Sequence, residues 1–100
     1  MRITLRPEAE DELLQAQAWY ESKAPGLGYE FARAADVAIS AAWRNPQAYP
    51  RIEGECRRVL LRKFPYALIY LPTDEELLVV ACFHQKRESS VWVERLERKT

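Results

Sequence analysis

Three residue types are scarce in these 100 residues: there are two cysteines, three glycines and one histidine. Two thiols without a CxxC spacing make neither a disulfide framework nor, with a lone histidine, a zinc site, so no metal is expected. Cys56 and Cys82 both lie in apolar runs, where a free thiol behaves as a small buried hydrophobe in a reducing compartment. The glycines build no phosphate loop, because no strand precedes Gly26 and Gly28 and no P-loop lysine follows them. No apolar run approaches the ~20 residues of a membrane span. The start, Met1-Arg2-Ile3-Thr4-Leu5-Arg6, is interrupted by charge as no signal peptide is. Charge of one sign is missing too: fifteen cations balance fifteen anions. Net charge therefore points to neither a nucleic acid nor a membrane surface. These absences predict a cytoplasmic protein without cofactor, metal or membrane partner.

What is present fits one folded domain over residues 1–100. Hydrophobic residues make up 48% of the chain, enough for a single core in a chain of this length. Ile3 to Leu5 alternates as a short strand. Pro7 then suits the first turn of a helix, and Glu8, Glu10, Asp11 and Glu12 favour the positive end of its dipole. Ala9, Leu13, Ala16 and Tyr20 recur at helical spacing, which predicts a helix over about 7–22. Ala24-Pro25-Gly26 breaks it. A second helix begins near Gly28, with Phe31, Ala35, Ala38 and Ala42 on one face, and ends at Asn45-Pro46. Trp19, Tyr20, Phe31 and Trp43 lie at helical spacing and are read as core.

From Cys56 the period changes to that of strands, over about 56–63, 66–71 and 76–84, with turn residues at Pro72-Thr73-Asp74-Glu75. Val91, Trp92 and Leu96 mark one face of a short C-terminal helix. The predicted class is α+β: an N-terminal strand, a helical hairpin on a mainly antiparallel four-stranded sheet, and the C-terminal helix.

The most informative stretch runs from Arg57 to Tyr70. Its first half carries Arg57, Arg58, Arg62 and Lys63, and Phe64-Pro65 separates it from an apolar second half. A tight turn there pairs 62 with 67, 60 with 69 and 58 with 71. Val59, Leu61, Leu68 and Tyr70 then share the face that packs under the helices. Arg58, Leu60, Arg62, Ala67, Ile69 and Leu71 share the other, two cations beside a bare apolar patch suited to a covering partner. His84 closes the last strand ahead of Lys86 and Arg87, with Arg58 or Arg62 expected across the sheet. That cluster suits an anionic group or charge stabilisation in phosphodiester cleavage. Trp92 is a candidate for stacking on a base or a partner side chain.

The ordered set of these segments resembles the RelE/ParE superfamily, the toxins of bacterial type II toxin–antitoxin systems, also called plasmid stabilisation proteins. The resemblance covers nearly the whole chain. It rests on Pro7 to Glu12, Gly26 to Phe31, Asn45-Pro46 through Tyr49-Pro50, Arg58, Arg62 to Tyr70, His84, Arg87, Trp92 and Arg95. It implies growth inhibition through a macromolecular target and neutralisation by a cognate antitoxin, with which such toxins form oligomers. RelE-like members are ribosome-dependent mRNA endonucleases with an arginine after the tyrosine that opens the third strand. Here Ala67 follows Tyr66, Leu60 stands where a second cation is frequent, and Trp92 replaces an expected tyrosine. ParE-like members lack that set and act on DNA gyrase, and the chain is nearer to them. The resemblance implies target or antitoxin binding by Arg58, Leu60, Arg62, Tyr66, Lys86, Arg87 and Trp92. His84 and Arg87 are catalytic only under the endonuclease alternative. A non-toxic interaction module on the same scaffold is the second alternative.

Overall fold

The computed structural model of the chain describes residues 2–86. Strand β1 (Arg2–Leu5) leads into helices α1 (Pro7–Lys23) and α2 (Leu27–Arg44). Strands β2 (Arg51–Glu53), β3 (Cys56–Leu60), β4 (Tyr66–Pro72) and β5 (Glu76–His84) follow. The sheet order is β1-β5-β4-β3-β2, with β1 parallel to β5 and every other pair antiparallel. The α+β architecture with a helical hairpin is as expected. The sheet has five strands rather than four, because Arg51–Glu53 adds a short edge strand beside β3. Three residues with two charges carry too little alternation to be read as a strand. The expected C-terminal helix lies outside the described residues.

Pro7 opens α1, with Glu8 and Glu10 in its first turn and Lys23 in its last, each charge matched to the helix dipole. The two helices are joined by a short break held by one side chain. The Glu21 carboxylate accepts the backbone N–H of Gly26 at 3.0 Å and of Gly28 at 2.9 Å, capping the start of α2 from the end of α1. Gly26 turns the chain with φ of 89°, a conformation that favours glycine. Gly28 is required for closeness instead: a Cβ there would sit 2.7 Å from the Gln17 carbonyl oxygen. From this start α2 buries Phe31, Ala35, Ala38 and Ala42, the stripe read from the sequence.

That stripe and Ala9 and Ala16 of α1 pack on Val59, Leu61, Leu68, Tyr70, Leu77, Val79 and Cys82 to form the main core. The opposite face holds a second cluster of Cys56, Ile69, Val80, Ala81 and Phe83, with Ile52, Leu71 and Leu78 beside it. It is not the bare patch expected, since Ala67 and Ile69 are only 2% and 1% exposed. The β3–β4 register also differs. Leu60 pairs with Ala67 and Arg58 with Ile69, two residues from the predicted pairing. The reason is a wider loop: β3 stops at Leu60, and Leu61 to Pro65 reverse the chain so that Phe64 turns inward. A shift of two preserves parity, so the face assignment stands.

Gly28→Ala is expected to destabilise the protein by about 1–3 kcal/mol in chemical denaturation, as overpacking against backbone does. Glu21 supplies a pH signature. The backbone N–H groups of Gly26 and Gly28 lower its pKa from the usual carboxylate value. Its contribution is present above the unfolded-state pKa and is lost as pH falls through the depressed folded value. Acidification through that window should cost wild type more stability than Glu21→Gln, measured by denaturant midpoints at each pH.

Candidate functional site

A groove of about 900 Å³ lies between α2 and the edge of β3. It exists because β2 covers only the start of β3: Arg51 and Glu53 pair with Arg57 and Cys56, leaving the Arg58–Leu60 edge uncovered by a ladder. Arg58 donates its backbone N–H to Pro50 instead, at 3.1 Å. On the helix side the groove is lined by Ala34, Ala38 and Ala41, whose small side chains leave the space. Arg33 lines it from α2, and Arg58, Arg62 and Lys63 line it from the sheet and the β3–β4 loop, against the single carboxylate of Glu30. Arg58, Arg62 and Lys63 form no ion pair among the described residues. Beside these cations, Val37 and Leu60 are 50% and 47% exposed.

Arg57, read as part of the same basic stripe, belongs to the fold instead. It is buried and donates to the carbonyl oxygens of Gln47 and Tyr49 and to Gln47 Oε1. Tyr70, its cross-strand partner, donates to the Pro46 carbonyl at 2.8 Å. Together they tie the loop after α2 to the sheet, which sets the far end of the groove at Tyr49 and Pro50.

A second, smaller cleft lies between α1 and the end of β5, lined by Glu12, Gln15, Trp19, Tyr20, Tyr66 and His84. The structure therefore separates the expected site residues. Arg58, Leu60 and Arg62 meet in the groove. Tyr66 and His84 meet in the cleft, paired across β4 and β5 with ring centroids 5.3 Å apart. His84 is not opposite Arg58 or Arg62. The cause is a bulge in β5: Tyr70 pairs with Val79 but Ile69 with Ala81, so Val80 is an extra residue. One extra residue reverses the alternation and carries His84 to the helix side. There its Nδ1 accepts the backbone N–H of Lys86 at 3.1 Å, which fixes the neutral ring as the Nε2–H tautomer.

Arg87 and Trp92 lie outside the described residues. Trp19, read as core, is 53% exposed, with the Lys23 ammonium 4.8 Å from its ring centroid. Arg33 is a groove residue with no part in the sequence reading, and Lys63, read there as part of the basic stripe, joins it. The available signal was the series Tyr29, Arg33 and Val37, spaced by four on a face of α2 that the core stripe does not use.

No protein-family model matches this chain, and no curated protein matches it. Solved structures do. A chain of the chromosomal ParDE toxin–antitoxin system from P. aeruginosa superposes with a TM-score of 0.60 at 12% identity, over 84% of this chain and 95% of that one. The isolated E. coli RelE toxin superposes with a TM-score of 0.56 at 16% identity, over 98% of this chain and 97% of that one. The chain has the RelE/ParE toxin fold.

Within this RelE/ParE fold, Ala67 faces the second cluster's side of the sheet and is buried. The thiols are removed from chemistry. Cys56 and Cys82 are both buried and share no disulfide. Burial, and then the nearby Glu12 carboxylate, push the Cys82 thiol up to about 12. The Cys82 backbone N–H is also taken by Glu12 Oε1 at 3.0 Å, which covers the edge of β5 beyond β1. A thiol-reactive disulfide reagent at mildly alkaline pH should label neither cysteine in the folded protein and both after denaturation. Rapid native labelling of Cys82 would contradict this placement.

Proposed function

We propose that this protein is the toxin of a type II toxin–antitoxin system, acting in the cytoplasm and held inactive by a cognate antitoxin that covers its groove. The observation that carries this is the groove itself. Arg58 and Arg62 stand without carboxylate partners among the described residues, beside exposed Leu60 and Val37. Exposed cations alternating with aliphatic side chains suit a protein partner with acidic and apolar groups. The fold likeness to ParE and RelE toxins, over most of each chain, supports the same reading.

Of the two targets that go with this fold, DNA gyrase is favoured over mRNA. A RelE-like endonuclease would place an arginine at position 67, where the alanine present is only 2% exposed. Leu60 occupies the position of a second strand cation. His84 is turned to the helix side with Nδ1 committed to a backbone N–H, so it does not join Arg58. A RelE-like activity would have to rest on Arg58, His84 and Arg87. A non-toxic interaction module is what remains if expression leaves growth unaffected.

Induced expression is expected to arrest growth, and co-expression of a short partner encoded in the adjacent reading frame should relieve the arrest. The purified protein should block gyrase supercoiling without ribosomes. His84→Ala and Arg58→Ala should both keep growth arrest. Arrest lost in both, together with mRNA cleavage by the wild type, would establish the endonuclease instead. Charge reversal at Arg58 and Arg62 together should weaken antitoxin binding by roughly tenfold or more.

A further inference from the structure

Lys63 has a φ of 71°, the one non-glycine residue at positive φ among the described residues. That region crowds the Cβ of any L side chain, and glycine or asparagine is its usual occupant. The loop explains the conformation. The ladder ends at Leu60 and Ala67, Leu61 donates to the Tyr66 carbonyl at 3.0 Å, and the chain must turn sharply to sink Phe64 into the core. Lys63 makes no ion pair among the described residues, and it lines the groove beside Arg58 and Arg62. Arg33 lines the same groove from α2.

We infer that Lys63 is a specificity-determining residue of the groove, kept in a strained backbone conformation because, with Arg33 on the other wall, it completes a two-sided cationic rim around an acidic amphipathic segment of the antitoxin. This rests on the toxin reading above. Charge complementarity selects the occupant: four cations and one carboxylate line the groove, with Asp36 close to Arg33 on α2. The apolar part follows from the alanine floor and from exposed Val37 and Leu60. From Tyr29 to Ala41 the groove follows α2 for about 18 Å, at 1.5 Å per residue, room for a segment rather than a single side chain. A single-stranded nucleic acid is the less suitable occupant. It wants successive aromatic platforms along a longer cationic track, and aliphatic Val37 and Leu60 offer none.

The test uses the full chain with three labelled probes: an amphipathic peptide of leucine and glutamate, its glutamine counterpart, and oligouridylate. Wild type should bind the glutamate peptide most tightly. Lys63→Gly and Arg33→Gln should each weaken that binding by roughly five- to tenfold, while Lys63→Gly melts no lower than wild type because the strain is relieved. Unchanged affinity in Lys63→Gly would overturn the inference. So would a lower melting temperature, which would make Lys63 a structural residue. Tighter binding of oligouridylate, or equal binding of all probes, would overturn the acidic-peptide occupant. Peptide binding as predicted without growth arrest would sink the toxin reading and leave the cationic rim standing. Growth arrest without peptide binding would do the reverse.

Discussion

The structure depends on one aromatic cluster that fastens the helical hairpin to the β3–β4 loop. Phe64 from the loop meets Tyr20 of α1 at 4.8 Å and Phe31 of α2 at 5.3 Å, centroid to centroid, both edge-on. Phe31 also meets Tyr66 of β4 at 5.1 Å. Burying a phenylalanine of this kind contributes about 2–3 kcal/mol, and each well-placed ring pair adds about 0.5–1.5 kcal/mol. The consequences exceed the energy. Sinking Phe64 widens the loop, ends β3 at Leu60, shifts the hairpin register by two and leaves Arg62 and Lys63 at the groove. The cationic surface is thus fixed by a residue that is itself buried.

A second constraint acts at the other end of the sheet. The extra residue Val80 turns β5 so that Leu77, Val79 and Cys82 all join the helix-side core, while Leu78, Val80, Ala81 and Phe83 serve the opposite face. Without it, strict alternation from Leu78 would put His84 beside the Arg58 side of the sheet. With it, His84 and Tyr66 sit in the cleft with Glu12, and the cations sit in the groove. The two sets of polar groups are therefore held on different parts of the surface.

Much of this was legible in the sequence. The helix bounds, the last strand and the stripe Phe31, Ala35, Ala38 and Ala42 follow from periodicity, because a buried face repeats at the helical or strand period. The faces of β3 and β4 were legible for the same reason. What was hidden is what periodicity does not encode. A bulge adds a residue without a marker, and Val80 lies within an unbroken apolar run. A loop that buries Phe64 looks, in sequence, like a tight turn at a proline. Arg57 and Arg58 are neighbours of equal charge, and only the pleat sends one to Gln47 and Tyr49 and the other to the groove. Trp19 falls one position from the core stripe, far enough on a helix to face solvent.

The same pleat helps a neutral chain gather a mainly cationic surface. Fifteen charges of each kind cancel in the sum, yet Glu8, Glu10, Asp11 and Glu12 belong to the first turns of α1, while Arg58, Arg62 and Lys63 gather at the edge of β3. Exposed guanidinium and ammonium groups are well solvated, so this arrangement costs the free protein little. It becomes costly only when the groove is covered. An apolar partner laid over these cations would strip their water without replacing it, a penalty of several kcal/mol per ion. A partner carrying carboxylates would meet the same cations with charge-assisted hydrogen bonds. Under the toxin reading, the groove would discriminate by refusal as much as by attraction: its aliphatic floor would admit many apolar segments, and its cations would reject those that bring no acid.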